Sequence, residues 1–282
     1  MKKRIIVTLG LLLTAALSAT LLLGCSGGSG GSGSSSASDN STTSKKFIVG
    51  FDQSFPPYGY VGDDGKFTGF DLDLAAEVAK RNGWEVEYKP INWDNKDQEL
   101  NSGSIDCIWN GFTMEGRETG YEWTEAYMDN SQVIVVKKDS GITKLSDLSG
   151  KTVMAQVDSA ALHLLETDGD QAALAKTFKN LQQVADYQSA FLELEQGSVD
   201  AVALDLPVAK FQISGKESTY LVLEADPLSV EHYVVGFKLG NTELRDTVQK
   251  TLKEMITDGT VEKLCKKYAD QGIDFKSWCM EK

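Results

Sequence analysis

The 282-residue sequence predicts an α/β protein of two lobes built to one plan, and three observations carry that prediction. Short, wholly apolar runs such as Phe47-Ile48-Val49-Gly50-Phe51 alternate with amphipathic helical stretches, as in a parallel sheet covered on both faces. Glu99-Leu100-Asn101-Ser102-Gly103-Ser104-Ile105-Asp106 lines up with Glu193-Leu194-Glu195-Gln196-Gly197-Ser198-Val199-Asp200, each reading as a helix end, a glycine cap, an aspartate and a buried strand. Lys46–Ser54 (KFIVGFDQS) likewise matches Lys151–Ser159 (KTVMAQVDS) in shape.

Residues 1–24 stand apart from the fold. Lys2-Lys3-Arg4 precedes an apolar run from Ile5 to Leu23 that stops at Gly24-Cys25, the layout of a secretory signal. The cysteine after Gly24 resembles the lipobox of bacterial lipoproteins, which makes Cys25 the expected lipidation site. A retained N-terminal anchor fits the small residues around Cys25 less well. The Gly/Ser-rich stretch 25–45 cannot bury apolar surface and reads as a flexible tether. Loss of the three basic residues of the signal takes the formal charge from −13 to −16. Such a chain is not built for nucleic acid or for a basic membrane-binding face.

About 237 residues remain, enough for two medium lobes. After the first strand, the prolines of Asp52-Gln53-Ser54-Phe55-Pro56-Pro57-Tyr58 keep that segment a loop. A helix is expected over about 72–82, with Leu72, Ala75, Ala76 and Ala79 as its core stripe and Gly83 as its stop. Val86-Glu87-Tyr88 is a second strand, and Trp93 sits in a loop before a short helix ending near Leu100. Cys107-Ile108-Trp109 is a buried strand that breaks into a polar turn, Asn110-Gly111-Phe112-Thr113, with Arg117 beyond it.

Tyr121–Tyr127 is a connector, Gln132–Lys137 a strand and Leu145–Leu148 a short turn or helix. The pattern then restarts: strand Lys151–Ala155, a helix opened by Ser159, a strand near Phe178–Leu181, helix Tyr187–Gln196 and strand Val199–Leu204, stopped at Asp205-Leu206-Pro207. Tyr233–Phe237 is a returning strand, and helices Thr242–Thr257 and Thr260–Tyr268 close the chain. Of the cysteines, Cys107 reads as a small hydrophobe, while Cys265 and Cys279 could bridge in an exported protein. With only His163 and His232 and no Cys/His cluster, neither a metal nor a cofactor is expected.

In open α/β sheets ligands bind beyond the C-terminal strand ends. Continuing the repeat without gaps sets Asn110 opposite Leu204 and Gly111 opposite Asp205, so one lobe presents Arg117 and the other Asp205. A cation and an anion facing each other suit a zwitterion, with Arg117 on a carboxylate and Asp205 on an ammonium.

The chain resembles the bacterial solute-binding proteins of polar amino acid ABC importers (family 3) over essentially all of 46–282. The motifs are VGFDQSFPPYGY (49–60), GFDLDLAAEVAKR (69–81), SIDCIWNGFTMEGRE (104–118), GKTVMAQVDSA (150–160), GSVDAVALDLPVA (197–209) and DGTVEKLCKKY (258–268). The resemblance implies the two-lobed type II periplasmic-binding-protein fold, with two strand crossovers as the hinge and the ligand in the interlobe cleft. Lobe 1 would be 46–131 plus 233–282 and lobe 2 132–232. It implies Arg117 on the α-carboxylate with Asn110, Gly111 and Thr113 beside it, Ser159 as a donor from lobe 2 and Asp205 on the α-ammonium. Phe55 and Trp93 would wall the ligand side chain, and Asp52 would face its tip.

Two positions depart from the pattern. Many members read T-x-x-x-x-R where this chain has Thr113-Met114-Glu115-Gly116-Arg117, one residue shorter, and Leu204 stands where some carry a polar residue. Each site residue also has a plainer role open to it. Asp205 and Ser159 could be helix caps, Phe55 and Trp93 core aromatics, and Asp52 a loop cap.

The function implied is capture of a free polar amino acid by a monomeric, lipid-anchored extracytoplasmic receptor that serves an ABC importer permease. An enzyme on the same fold, dehydratase-like, and a ligand-sensing domain are the alternatives. The cleft motifs offer no base–nucleophile pair, and Ile273–Lys282 offers no further spanning segment. Glutamine, cystine and basic amino acids all remain open as ligands.

Overall fold

The structure, a computed structural model, describes residues 44–281. The proposed signal, Cys25 and nearly all of the tether therefore lie outside the described residues.

Strand β1 (Lys46–Phe51) leads into a small antiparallel sheet of β2 (Ser54–Phe55), β3 (Gly59–Val61) and β4 (Phe67–Thr68). Then come α1 (Phe70–Arg81), β5 (Glu85–Pro90), α2 (Lys96–Ser102), β6 (Cys107–Thr113), the short β7 (Glu122–Trp123) and the long β8 (Met128–Lys137). The second β/α series is β9 (Thr152–Gln156), α3 (Ala160–Leu165), α4 (Ala172–Ala175), β10 (Asn180–Val184), α5 (Tyr187–Gln196), β11 (Ala201–Asp205), α6 (Leu206–Ile213) and β12 (Tyr220–Val222). Strand β13 (Ser229–Phe237) returns, and α7 (Thr242–Thr257) and α8 (Thr260–Lys267) end the fold.

One mixed sheet carries the strand order β10-β9-β11-β8-β13-β6-β1-β5. At one end β1, β5 and β6 are parallel, and at the other β9, β10 and β11 are parallel. The antiparallel pair β8–β13 joins the two ends, with β8 paired to β11 and β13 to β6. Both joining strands begin four residues before the expected starts, at Met128 and Ser229, because each pairs along its first half with the other.

The repeat holds at the level of single hydrogen bonds. Gly103 and Gly197 both take left-handed conformations, φ 76° and 78°, as helix caps. Ser104 N–H donates to the Glu99 carbonyl and Ser198 N–H to that of Glu193, each at 3.0 Å. Asp106 then clasps Ile48, donating N–H to its carbonyl at 2.8 Å and accepting its N–H at 2.7 Å. Asp200 clasps Thr152 in the same two ways, at 2.9 and 2.8 Å. The partner strands are thus offset by one residue from the gapless alignment.

Helix α1 buries Leu72, Ala75 and Ala79 of its expected stripe but leaves Ala76 half-buried, with Leu74 and Val78 buried as well, and stops before Gly83 at φ 68°. Its partners come from the far end of the chain. Leu244, Val248, Leu252 and Met255 of α7 are buried, Arg81 pairs with Asp258 at 2.7 Å, and Asn82 donates to Thr251 at 3.0 Å. No helix among the described residues is long and apolar enough to cross a membrane.

Two expectations are corrected. Asn110–Thr113 is not a turn: all seven residues of β6 are buried strand, because β13 pairs with this stretch where β1 has already left it. The Cys265–Cys279 bridge is not formed, and both thiols are free. Cys265 is buried on the core side of α8, and Cys279 sits on the tail beside Asp129 instead. Burial pushes both thiols up to about 12.

Candidate functional site

The site forms where β6 runs beyond β1. The Asp52 N–H crosses to Asn110 Oδ1 at 2.7 Å, holding the parting strands together. One residue on, Gly111 donates its N–H to Asp71 Oδ2 at 2.6 Å, and Tyr127 O–H donates to the same oxygen at 2.8 Å. Burial raises the Asp71 carboxyl to about 7 in spite of those two bonds. Gly111 has φ 56°, and a Cβ there would lie 2.8 Å from Phe55 Cε1 and 3.1 Å from the Tyr233 ring. Gly111→Ala therefore meets both a strained backbone and a packed wall. We expect a loss of about 1–3 kcal/mol, read as a drop of several degrees in the thermal melt.

Phe55, Trp93, Asn110, Gly111, Thr113, Arg117, Gln156, Ser159, Ala160, Tyr187 and Asp205 line one small cavity. Eight of the nine residues expected at the ligand thus line one cavity. Asp52 does not: its Oδ1 accepts the Ser54 N–H at 2.8 Å and its Oδ2 accepts Gln156 Nε2 at 2.6 Å. The loop-cap role therefore holds for Asp52, and its charge meets the cavity only through the Gln156 amide.

The segment before Arg117, one residue shorter than in the pattern, closes as a turn. Gly116 takes φ 81° and Arg117 N–H donates to the Met114 carbonyl at 2.9 Å. The guanidinium returns over the Phe112 ring at 5.4 Å, its Nη1 donating to the Thr113 carbonyl at 3.3 Å and its Nη2 to the Asp158 carbonyl at 2.8 Å. A guanidinium carries five N–H donors, so most of the fork stays open to a carboxylate. Ser159 caps α3, its Oγ accepting the Leu162 N–H at 3.1 Å, and the hydroxyl hydrogen remains for the cavity.

Asp205 stands in the N-cap position of α6 without capping it. Its Oδ1 instead accepts from Asn130 Nδ2, Gln132 Nε2 and Tyr233 O–H, each at 2.7 Å. Glu231 Oε1 takes the same two amides at 2.7 and 2.8 Å, and Thr113 Oγ1 at 2.7 Å. Two buried carboxylates therefore share two amide donors. Burial raises both, and Glu231 raises Asp205 further by repulsion.

The side walls are aromatic. Trp93 packs edge-on to Phe112 at 5.3 Å and donates Nε1–H to the Asp158 carbonyl at 3.1 Å. Phe55 lies 6.0 Å from Tyr187, whose buried hydroxyl lies near Ser159 and makes no well-formed hydrogen bond among the described residues.

Gln156, Tyr187, Glu231, Asn130 and Gln132 were not singled out in the sequence. A signal existed for the last three: polar side chains at alternate positions of strands otherwise apolar on their inner face. No group of His, Cys, Asp and Glu suited to a metal ion occurs among the described residues.

Residues 47–271 match the bacterial extracellular solute-binding proteins, family 3. The L-cystine-binding protein TcyA of Bacillus subtilis is 30% identical over 229 residues, covering 80% of this chain and 81% of its own. The arginine-binding extracellular protein ArtP of the same organism is 30% identical over 228 residues, 79% of this chain and 86% of its own. A substrate-binding protein of an ABC uptake transporter from Streptococcus pneumoniae, solved with bound histidine, superposes with a TM-score of 0.73 at 29% identity, covering 82% of this chain and 94% of that one. With the profile matched across nearly the whole described chain, this protein belongs to the bacterial extracellular solute-binding proteins of family 3.

Proposed function

We propose that this chain binds a free polar amino acid between two lobes and delivers it to an ABC importer. The observation that carries the reading is the polarity of one cavity, with the open fork of Arg117 on one wall and the Asp205 carboxylate on another. The α-carboxylate would take two bonds from Arg117 with a third from Ser159, and the α-ammonium would sit on Asp205. Phe55, Trp93 and Tyr187 would sandwich the side chain, whose polar end would meet the Gln156 amide backed by Asp52.

In this reading lobe 1 comprises 46–131 plus 233–282 and lobe 2 comprises 132–232, hinged on β8 and β13. The protein would be a monomer outside the cytoplasm, held to the membrane by a lipid on Cys25. Binding is favoured over catalysis because the buried acids are committed to amide and hydroxyl donors, and neither histidine lines the cavity.

A thermal-shift panel of residues 26–282 against the standard amino acids and cystine tests this. A ligand at about 100 times its dissociation constant adds roughly 2.7 kcal/mol, or about 5–10 °C for a chain of this size. A flat panel would sink the proposal, and turnover of any member would favour the enzyme alternative.

A further inference from the structure

Asp158 is the one non-glycine residue at positive φ (55°) among the described residues. L-residues rarely adopt that conformation, and where they do the surroundings impose it. The peptide so turned aims the Asp158 carbonyl across the cleft, where it accepts Trp93 Nε1–H at 3.1 Å and Arg117 Nη2–H at 2.8 Å. Its side chain is held as firmly. Oδ1 meets His163 Nε2 at 2.9 Å, and Oδ2 meets the ammonium of Lys96. Lys96 belongs to α2, its side chain is only 1% exposed, and its ammonium lies 5.3 Å from the centre of the Trp93 ring.

A lysine this buried needs an anion, because an uncompensated charge inside a protein is far costlier than a paired one. Among the described residues Asp158 is the carboxylate in contact with it. Arg117 stands close enough to oppose the Lys96 charge, so without the Asp158 carboxylate two cations would face each other at the cavity's edge. Burial acts to raise the Asp158 carboxyl, but the bonds from His163 and Lys96 outweigh it and hold the group at about 2. The charge is therefore present at any working pH.

We propose that Lys96 and Asp158 form a latch across the cleft, with Asp158 a positioning residue whose carbonyl sets Arg117 and Trp93 for the ligand. The latch rests on the binding reading above for its purpose, but not for its existence. It joins the segment that carries Trp93 and Lys96 to the turn that opens α3. Because it forms only when the two segments meet, it slows separation rather than approach.

The test uses two variants of the mature chain. Asp158→Gly removes the carboxylate while keeping the carbonyl and suiting the left-handed conformation. Lys96→Met removes the charge at similar volume. In the ligand-free protein, exchange of the Trp93 indole proton by NMR should be about tenfold faster in both variants, with the double variant no worse than either single one. An indole that exchanges equally in wild type and variants, or at the free rate already in wild type, overturns the latch. With L-cystine, L-arginine and L-histidine as probes, whichever binds should dissociate about tenfold faster from the variants with its association rate within twofold, a split that general destabilisation would not produce. If none of the probes binds but the indole result stands, the latch survives and the amino acid reading is what weakens.

Discussion

Arg117→Ala should abolish amino acid binding in calorimetric titration while leaving the ligand-free melt nearly unchanged. Among the described residues the guanidinium makes two hydrogen bonds, both to carbonyls, and one of them is long at 3.3 Å. Arg117 lines the cavity, and its other N–H donors bond no atom among the described residues. Each charge-assisted bond to a carboxylate is worth roughly 1.5–3 kcal/mol, so losing two raises the dissociation constant about a hundred- to ten-thousandfold. Arg117→Lys keeps the charge but not the planar fork, and should fall between wild type and alanine. Unchanged affinity in Arg117→Ala would show that the carboxylate is held elsewhere.

The second large effect lies at the opposite end of the cavity. Asp205 and Glu231 are buried together and share the Asn130 and Gln132 amides, with no cation bonded to either among the described residues. Burial first, then the neighbouring charge, raises Asp205 above the ordinary carboxylate range, so acid pH favours its protonated form. A ligand ammonium needs the ionised form. Binding should therefore weaken as pH falls, and titrations at pH 5 and pH 8 should differ in that direction, with proton release on binding. Asp205→Asn should lose affinity by orders of magnitude and remove most of this pH dependence.

The stability of the empty protein runs the other way. A carboxyl raised on folding stabilises the native state fully below its unfolded value, and that contribution is lost as pH rises through the folded one. For Asp71 the window is from about 4 to about 7. Equal affinity at pH 5 and pH 8 would remove Asp205 from the ammonium site.

Much of this was legible in the sequence because local signals and tertiary demands agree. Gly103 and Gly197 stop helices where the repeat places them, and the α7 stripe from Leu244 to Met255 is the face that packs. The Asp106 and Asp200 clasps made the repeat visible through a handful of residues. Where reading failed, a distant partner had overruled local character. Asn110-Gly111-Phe112-Thr113 looks like a turn, but β13, more than a hundred residues away, makes it strand. Asp52 has the right type and loop for a ligand contact, and only packing shows Gln156 standing in front of it. Lys96 and Asp158 look like solvated surface charges until the fold apposes them.

The strand order has a consequence for the sequence of events during synthesis. The segment from β8 to β12 is continuous, so its parallel strands and covering helices can assemble as soon as they emerge. The other end of the sheet has no such freedom. Strand β6 needs β13 as its neighbour, and α1 needs Thr251, Asp258 and Thr260 from the last helices. Its nucleus must wait for the C-terminus, closing a loop of more than a hundred residues at a high entropic cost to its rate. The half that leaves the ribosome first is thus the half that finishes folding last. Truncation before α7 would strand it as an open sheet with α1 uncovered.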